Sequence, residues 1–215
     1  MRAATAMSVA ADRAKYDPGM RALVVLAHPE PGSFNHAIAE RVVSVLRSAG
    51  HEVTFHDLYA EGFDPVLPAG EVPEDRAVDP EIAKYCDELA RAEGIVIVHP
   101  NWWGQPPAIL KGWIDRVIRP GVAYRFIEGD SGEGVPEGLL RARTAVVLNT
   151  SNTEPERELA IFGDPLQALW ERCVFDLCGV KDVRRRTFSV VVTSSGAERS
   201  AWLQEAAEIV RRAFS

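Results

Sequence analysis

The residues with most chemistry to offer fall in three short runs. The first is His28-Pro29-Glu30-Pro31-Gly32-Ser33-Phe34-Asn35, which leads from an apolar segment into a helical pattern. Free backbone N–H groups and the positive end of a helix dipole converge at such a junction, the setting in which proteins seat phosphate. Gly32 permits close approach of an anion, Ser33 and Asn35 add neutral donors, and His28 can hydrogen-bond a phosphate oxygen. Taken alone, the run reads equally as a helix cap with a solvated histidine. The second run is His99-Pro100-Asn101-Trp102-Trp103-Gly104-Gln105. Adjacent tryptophans in extended backbone cannot both point inward, so at least one presents a flat face to a planar aromatic ligand. The competing reading is that they plug a sheet edge. The third, Asn149-Thr150-Ser151-Asn152-Thr153, offers backbone N–H groups and short side chains to the polar edge of a heterocycle, or is an ordinary turn.

The elements that must position these runs are legible from periodicity. Residues 22–27 (ALVVLA), 94–99 (GIVIVH) and 144–149 (TAVVLN) are unbroken apolar runs, the pattern of strands buried on both faces. Residues 52–57 (EVTFHD) alternate weakly as a second strand, and 187–193 read as a fifth. Ser33 stands as a cap before Ile38, Val42, Val45, Leu46 and Ala49, and Gly50 stops that helix. A helix is predicted over 81–92. Another follows Pro106-Pro107, with Ile109/Leu110, Trp113/Ile114 and Val117/Ile118 inward as far as Pro120-Gly121. A further one buries Leu166, Leu169/Trp170, Cys173/Val174 and Leu177, and the last spans 202–214. The Pro- and acid-rich stretch 58–80 reads as irregular.

Five strands alternating with helices predict an α/β three-layer sandwich. Its five-stranded parallel sheet has helices on both faces and the flavodoxin-like order 2-1-3-4-5. Ligands of such sheets sit beyond the carboxyl ends of the strands where the order reverses, beside strands one and three. Those two strands end in the first two runs. Residues 1–19 show neither a continuous apolar centre nor a periodicity and are expected to be a poorly ordered leader before one domain over 20–215.

Several classes are excluded. The net charge of −7 repels phosphate polymers and anionic lipid surfaces, so nucleic acid is not an expected partner. No apolar run approaches the roughly 20 residues of a membrane span. No G-x-G-x-x-G follows the first strand and no G-x-x-x-x-G-K-[ST] occurs. Ser194-Ser195-Gly196 lacks the glycine of a nucleophile elbow. His51-Glu52 with His56 has the wrong spacing for a zinc protease, and both histidines read as surface residues. No metal site is expected. Cys86, Cys173 and Cys178 form no C-x-x-C and read as buried small apolar residues in a reducing, cytoplasmic setting.

The motifs AHPEPGSFN (27–35) and HPNWWGQPPAILKGWIDRV (99–117) resemble those of the NAD(P)H:quinone oxidoreductase family of flavodoxin-like flavoenzymes, and the match runs from Arg21 to the end of the chain. The resemblance implies a tight, non-covalent flavin, FAD or FMN. His28, Ser33, Phe34 and Asn35 would hold its phosphate. Pro100, Asn101, Trp102, Trp103 and Gly104, with Asn149, Thr150, Ser151 and Asn152, would flank its ring. Tyr124 matches an aromatic of the substrate pocket, which Trp103, Phe126 and Phe162 would share. Also implied are NAD(P)H as co-substrate, ping-pong two-electron hydride transfer through flavin N5 to a quinone or similar flat acceptor, and a homodimer with pockets at its interface. Mammalian members carry a relay histidine before the Gly-Asp of this region, where Phe162 precedes Gly163-Asp164 here. The proton then falls to a group such as Tyr124 or to water, or backbone amides alone steady the reduced ring. Related proteins act as ancillary subunits of potassium efflux transporters, and azo or nitroaromatic reduction belongs to the same enzyme class. A flavodoxin-type electron carrier is the remaining alternative.

Overall fold

The computed structural model describes residues 19–72, 78–127 and 134–215. Except for Gly19 the leader expected over 1–19 lies outside the described residues, as do 73–77 of the irregular stretch. The main sheet contains β1 (Arg21–Leu26), β2 (Glu52–Asp57), β3 (Gly94–Pro100), β6 (Thr144–Thr150) and β7 (Asp182–Phe188). They pair in parallel in the order β2-β1-β3-β6-β7. Setting aside a two-residue hairpin, β4 (Tyr124–Arg125) with β5 (Glu137–Gly138), this is the 2-1-3-4-5 order. β3 and β6 are buried along their whole lengths because helices cover both faces.

Side-chain alternation divides the core in two. Ala22, Val24 and Leu26 face α1 (Phe34–Ser48) and the C-terminal α6 (Gly196–Ala213), meeting Ile38, Val42, Leu46, Ala206 and Val210. Leu23 and Val25 face the opposite layer of α2 (Pro80–Arg91) and α3 (Ala108–Val117), where Ile82, Leu89, Trp113 and Trp170 fill the space. Ser33 caps α1 as expected, its Oγ accepting from His36 N–H.

Four expectations need correction. The fifth strand is Asp182–Phe188, not 187–193, and Val191–Thr193 forms a 3-10 turn. Arg184, Arg185 and Arg186 hid the strand. On this edge their guanidinium groups reach Asp182, Asp164 and Glu205, so charge is accommodated where apolar pattern was sought. The last helix starts at Gly196, six residues earlier than its apolar pattern, because Ser195 and Glu198 form a reciprocal capping box.

The segment after α4 (Pro155–Phe162) begins as α5 (Pro165–Gln167) and continues as a π-helix over Ala168–Asp176. The wider i→i+5 winding buries Leu166, Trp170, Val174 and Cys178, four residues apart, and turns Cys173 out to solvent. Finally, His56 is not at the surface. It is 4% exposed and clamped between Glu61 (3.0 Å) and Glu88 (2.8 Å), while Tyr85 donates to Glu61. His51 is half-buried, its Nδ1 accepting from Met20 N–H at 3.0 Å.

Candidate active site

The three runs meet at the carboxyl ends of β1, β3 and β6. His28, Ser33, Phe34, Asn35, Pro100, Asn101, Trp102 and residues 150–153 line one cleft of about 340 Å³. A neighbouring cavity of about 480 Å³ shares the wall at Asn101 and is lined by Trp103, Gly104, Thr153, Arg157, Glu158, Phe162 and Pro165. Trp103 and Phe162 are thus brought together. Tyr124 and Phe126 line neither cavity; their rings meet edge-on at 5.9 Å and Tyr124 packs on the core. Asn149 is fully buried beneath the cleft, and Gly32 lies on the exposed turn before α1 with φ 74°.

The polar side chains expected to face a ligand are mostly engaged within the protein. Asn35 Nδ2 donates to Thr150 Oγ1 (2.9 Å), Ser151 Oγ accepts from Thr153 N–H (3.0 Å), and Asn152 Oδ1 accepts from Val192 N–H (2.9 Å). Asn101 Nδ2 donates to Glu158 (3.0 Å). These bonds brace the loops and leave backbone groups for the cleft. The first-turn N–H groups of Phe34 and Asn35 have no intrahelical acceptor. Among the described residues, the N–H groups of Trp103, Gly104 and Asn152 also make no hydrogen bond. His28 Nδ1 stands 3.1 Å from Glu30 N and 3.3 Å from Glu30 O, so the Glu30 backbone fixes the ring beside the cleft. Burial holds this imidazole below its ordinary pKa.

The tryptophan loop is a tight turn. Trp102 and Gln105 exchange both backbone hydrogen bonds at 3.0 Å, and Trp103 (φ 59°) and Gly104 (φ 70°) both lie in the left-handed region, as in a type I′ turn. Gly104 is required: a Cβ there would meet Pro165 Cγ at 2.6 Å. Trp103 has no such licence, yet it holds this conformation with its indole fully exposed.

A buried network supports the loops; the sequence reading named His99, Pro100 and Asn149 but neither their bonds to one another nor the part played by Arg185. His99 Nε2 accepts from Trp170 Nε1 (2.9 Å) and Asn149 Nδ2 (2.8 Å), so Nδ1 carries the proton and donates to Pro100 O (2.8 Å). Asn149 Oδ1 in turn accepts from Arg185, which also binds Thr187 Oγ1 and pairs with Asp164. Burial pulls His99 down to about 4, the Arg185 charge adding to that effect and the Pro100 carbonyl opposing it.

From about pH 6.5 down to 4 the unfolded chain therefore binds a proton that folded His99 refuses. This group's contribution to stability falls on acidification by up to about 1.4 kcal/mol per pH unit. The unfolding midpoint of His99→Gln, followed between pH 7 and 4, is expected to fall less steeply than that of the parent. Equal slopes would show that the ring is not held neutral.

The geometry fits a flavin: helix-start N–H groups and a histidine at the phosphate end, an indole along the cleft, the unbonded Asn152 amide in its lining, and the unbonded Trp103 and Gly104 amides at the adjoining cavity. Residues 20–213 match the family described as having a flavodoxin-like fold. The chain is 32% identical over 194 residues to a Haemophilus influenzae protein named an uncharacterized NAD(P)H oxidoreductase, covering 88% of this chain and 93% of that one. It is 34% identical over 171 residues to NAD(P)H dehydrogenase (quinone) 1 of Cavia porcellus, covering 70% of this chain and 60% of that protein. The solved NAD(P)H:quinone oxidoreductase of Methanothermobacter marburgensis superposes with a TM-score of 0.77 at 25% identity, covering 90% of this chain and 96% of that chain. Sheet order, loop placement and these likenesses agree, and the chain belongs to the flavodoxin-like family of NAD(P)H:quinone oxidoreductases.

Proposed function

We propose that this protein is a flavin-dependent NAD(P)H:quinone oxidoreductase that uses FAD or FMN and passes two electrons from NAD(P)H to a quinone or similar flat acceptor. The observation that carries this reading is the 340 Å³ cleft, lined by the start of α1, Trp102 and the 150–153 loop, opening beside an aromatic-walled cavity of 480 Å³. When bound, a flavin supplies the two-electron exchange; the protein supplies position and field.

The amides of Phe34 and Asn35 and the His28 ring would hold the phosphate, and Trp102 would wall the ring of the flavin. The amides of Trp103, Gly104 and Asn152 would stabilise negative charge gathering at the ring edge, as donors do in an oxyanion hole. Trp103 and Phe162 would sandwich the planar substrate in the adjoining cavity. Asp164, in the place beside the missing relay histidine, is committed to Arg185, so the proton is left to Tyr124 or to water entering the cavity.

We read the assembly as a homodimer. α4 buries none of its residues, and Leu159, Ile161 and Phe162 are each more than half exposed beside the bare Trp103 indole. A second copy packed there would also offer a way to complete the pocket with the aromatics Tyr124 and Phe126, which one chain keeps apart from it. No helix among the described residues is long and apolar enough to cross a membrane, and a cytoplasmic setting suits the free cysteines.

Purified protein is expected to be yellow. Initial rates against NADPH at several fixed quinone concentrations should give parallel lines, because one stacking surface serves donor and acceptor in turn. Intersecting lines would count against the shared cavity, and colourless protein that takes up neither FAD nor FMN would count against the cofactor.

A further inference from the structure

Ser33 does more than cap α1. His36, one turn into the helix, has Nδ1 2.8 Å from Ser33 Oγ and Nε2 3.0 Å from Asp57 Oδ2. Asp57, at the end of β2, is anchored through its other oxygen by the N–H groups of Tyr59 and Ala60, both at 3.2 Å. The side chains of His36 and Asp57 are only 15% exposed, while Ser33 lines the cleft. A carboxylate, an imidazole and a hydroxyl from three elements thus form a line that ends at the phosphate seat.

The protons along this line are constrained. A carboxylate only accepts, so His36 Nε2 carries a proton. With a neutral ring, Nδ1 is bare, the Ser33 O–H must donate to it, and the oxygen shows the cleft only lone pairs. With a charged ring, Nδ1–H donates to Ser33 Oγ and the hydroxyl proton is released to turn toward the cleft. Ser33 can therefore serve as a donor to an anion at the start of α1 only when His36 is an imidazolium.

We propose that seating the cofactor phosphate at the start of α1 is coupled to proton uptake by His36, with Asp57 holding the resulting charge. The proposal rests on the flavin reading above and adds pH control of that site. Asp57 from β2, 3.0 Å from Nε2, favours the charged ring. His28, edge-on with ring centroids 6.1 Å apart, would oppose it when protonated, and its burial lowers its own tendency to take a proton. The positive end of α1 also opposes it, and Glu40 lies one turn further along the same helix. A bound phosphate reverses the balance by adding negative charge beside Ser33. The complex then holds the His36 proton more tightly than the free protein does, and affinity falls as pH rises, by up to about tenfold per pH unit for one proton.

The test is titration calorimetry of flavin-free protein with FMN and, separately, FAD. It is run from pH 6 to 9 in buffers of different ionisation heat and repeated with His36→Gln. The parent should take up as much as one proton more per flavin than the variant, and its log Kd should rise more steeply with pH by up to one per unit. The difference between proteins cancels any ionisation of the ligand's own phosphate. Asp57→Asn, which keeps an acceptor for Tyr59 and Ala60 and turns an N–H donor toward His36 Nε2, is the second variant; the neutral ring then carries its proton on Nδ1, and the extra uptake should be lost. Equal uptake and parallel pH dependence in parent and variants overturn the proposal while leaving the flavin reading standing. No binding of either flavin overturns the flavin reading itself, and the proposal with it.

Discussion

Replacing Trp103 by glycine is expected to make the protein more stable and a much poorer quinone reductase. In the native turn Trp103 sits at φ 59°, where the Cβ of an L residue crowds the following carbonyl at a cost of roughly 1–2 kcal/mol. Its indole is fully exposed, so no burial within the chain offsets that cost. Glycine removes the strain but also loosens the unfolded chain, leaving a net gain of about 1 kcal/mol or less, worth roughly 2–4 °C for a domain of this size. The lost stacking face is worth about 1–3 kcal/mol, which corresponds to a fall of about 5- to 150-fold in kcat/KM for a planar acceptor. Thermal unfolding and steady-state kinetics of one variant read both effects. A variant that is less stable and fully active would mean that the indole packs somewhere in the fold and has no part in the substrate cavity.

The largest loss of stability is expected from Arg116→Met. Arg116 is 5% exposed and holds Glu71 through two bonds, Nε to Oε2 at 3.1 Å and Nη2 to Oε1 at 2.7 Å, while Nη1 donates to Asp64 O at 2.7 Å. Arg119 binds the Glu71 carbonyl, so the turn Ala69–Glu71 is clamped onto α3. Removing the guanidinium strands a buried carboxylate, at a cost of about 3–5 kcal/mol, which lowers the melting temperature by roughly 10 °C. Arg116→Met combined with Glu71→Met should recover much of this, because the desolvated charge is then gone.

The pH dependence follows from the same pair. Its hydrogen bonds to Arg116 hold the Glu71 carboxyl below the ordinary carboxylate range. The stability it contributes is therefore complete above the unfolded value and is lost as pH falls through the lowered folded one. Calorimetric scans from pH 7 to 3 should show a shallower acid decline for Arg116→Met than for the parent. A single variant within about 1 kcal/mol of the parent at pH 7 would mean that the pair is solvated and not buried.

The sequence by itself determined the architecture. Strands covered on both faces must be apolar throughout, so β1, β3 and β6 stand out without reference to any partner, and caps such as Ser33 act within one turn of chain. Sheet order then placed the three loops at the switch point, and the short motifs in them named the family. What only the tertiary structure decided depends on groups far apart in sequence. β7 could carry three arginines because Asp164 and Glu205 fold against it. His56 could be buried because Glu61 and Glu88 close over it. Asn35, Ser151 and Asn152 were legible as donors and acceptors, but not as groups already satisfied, with Asn35 reaching Thr150 and Asn152 reaching Val192. A residue's type sets what it can bind and its near neighbours set its local conformation. Which of its bonds are made is a pairwise property of the folded chain, and that choice spent these side chains on bracing the loops.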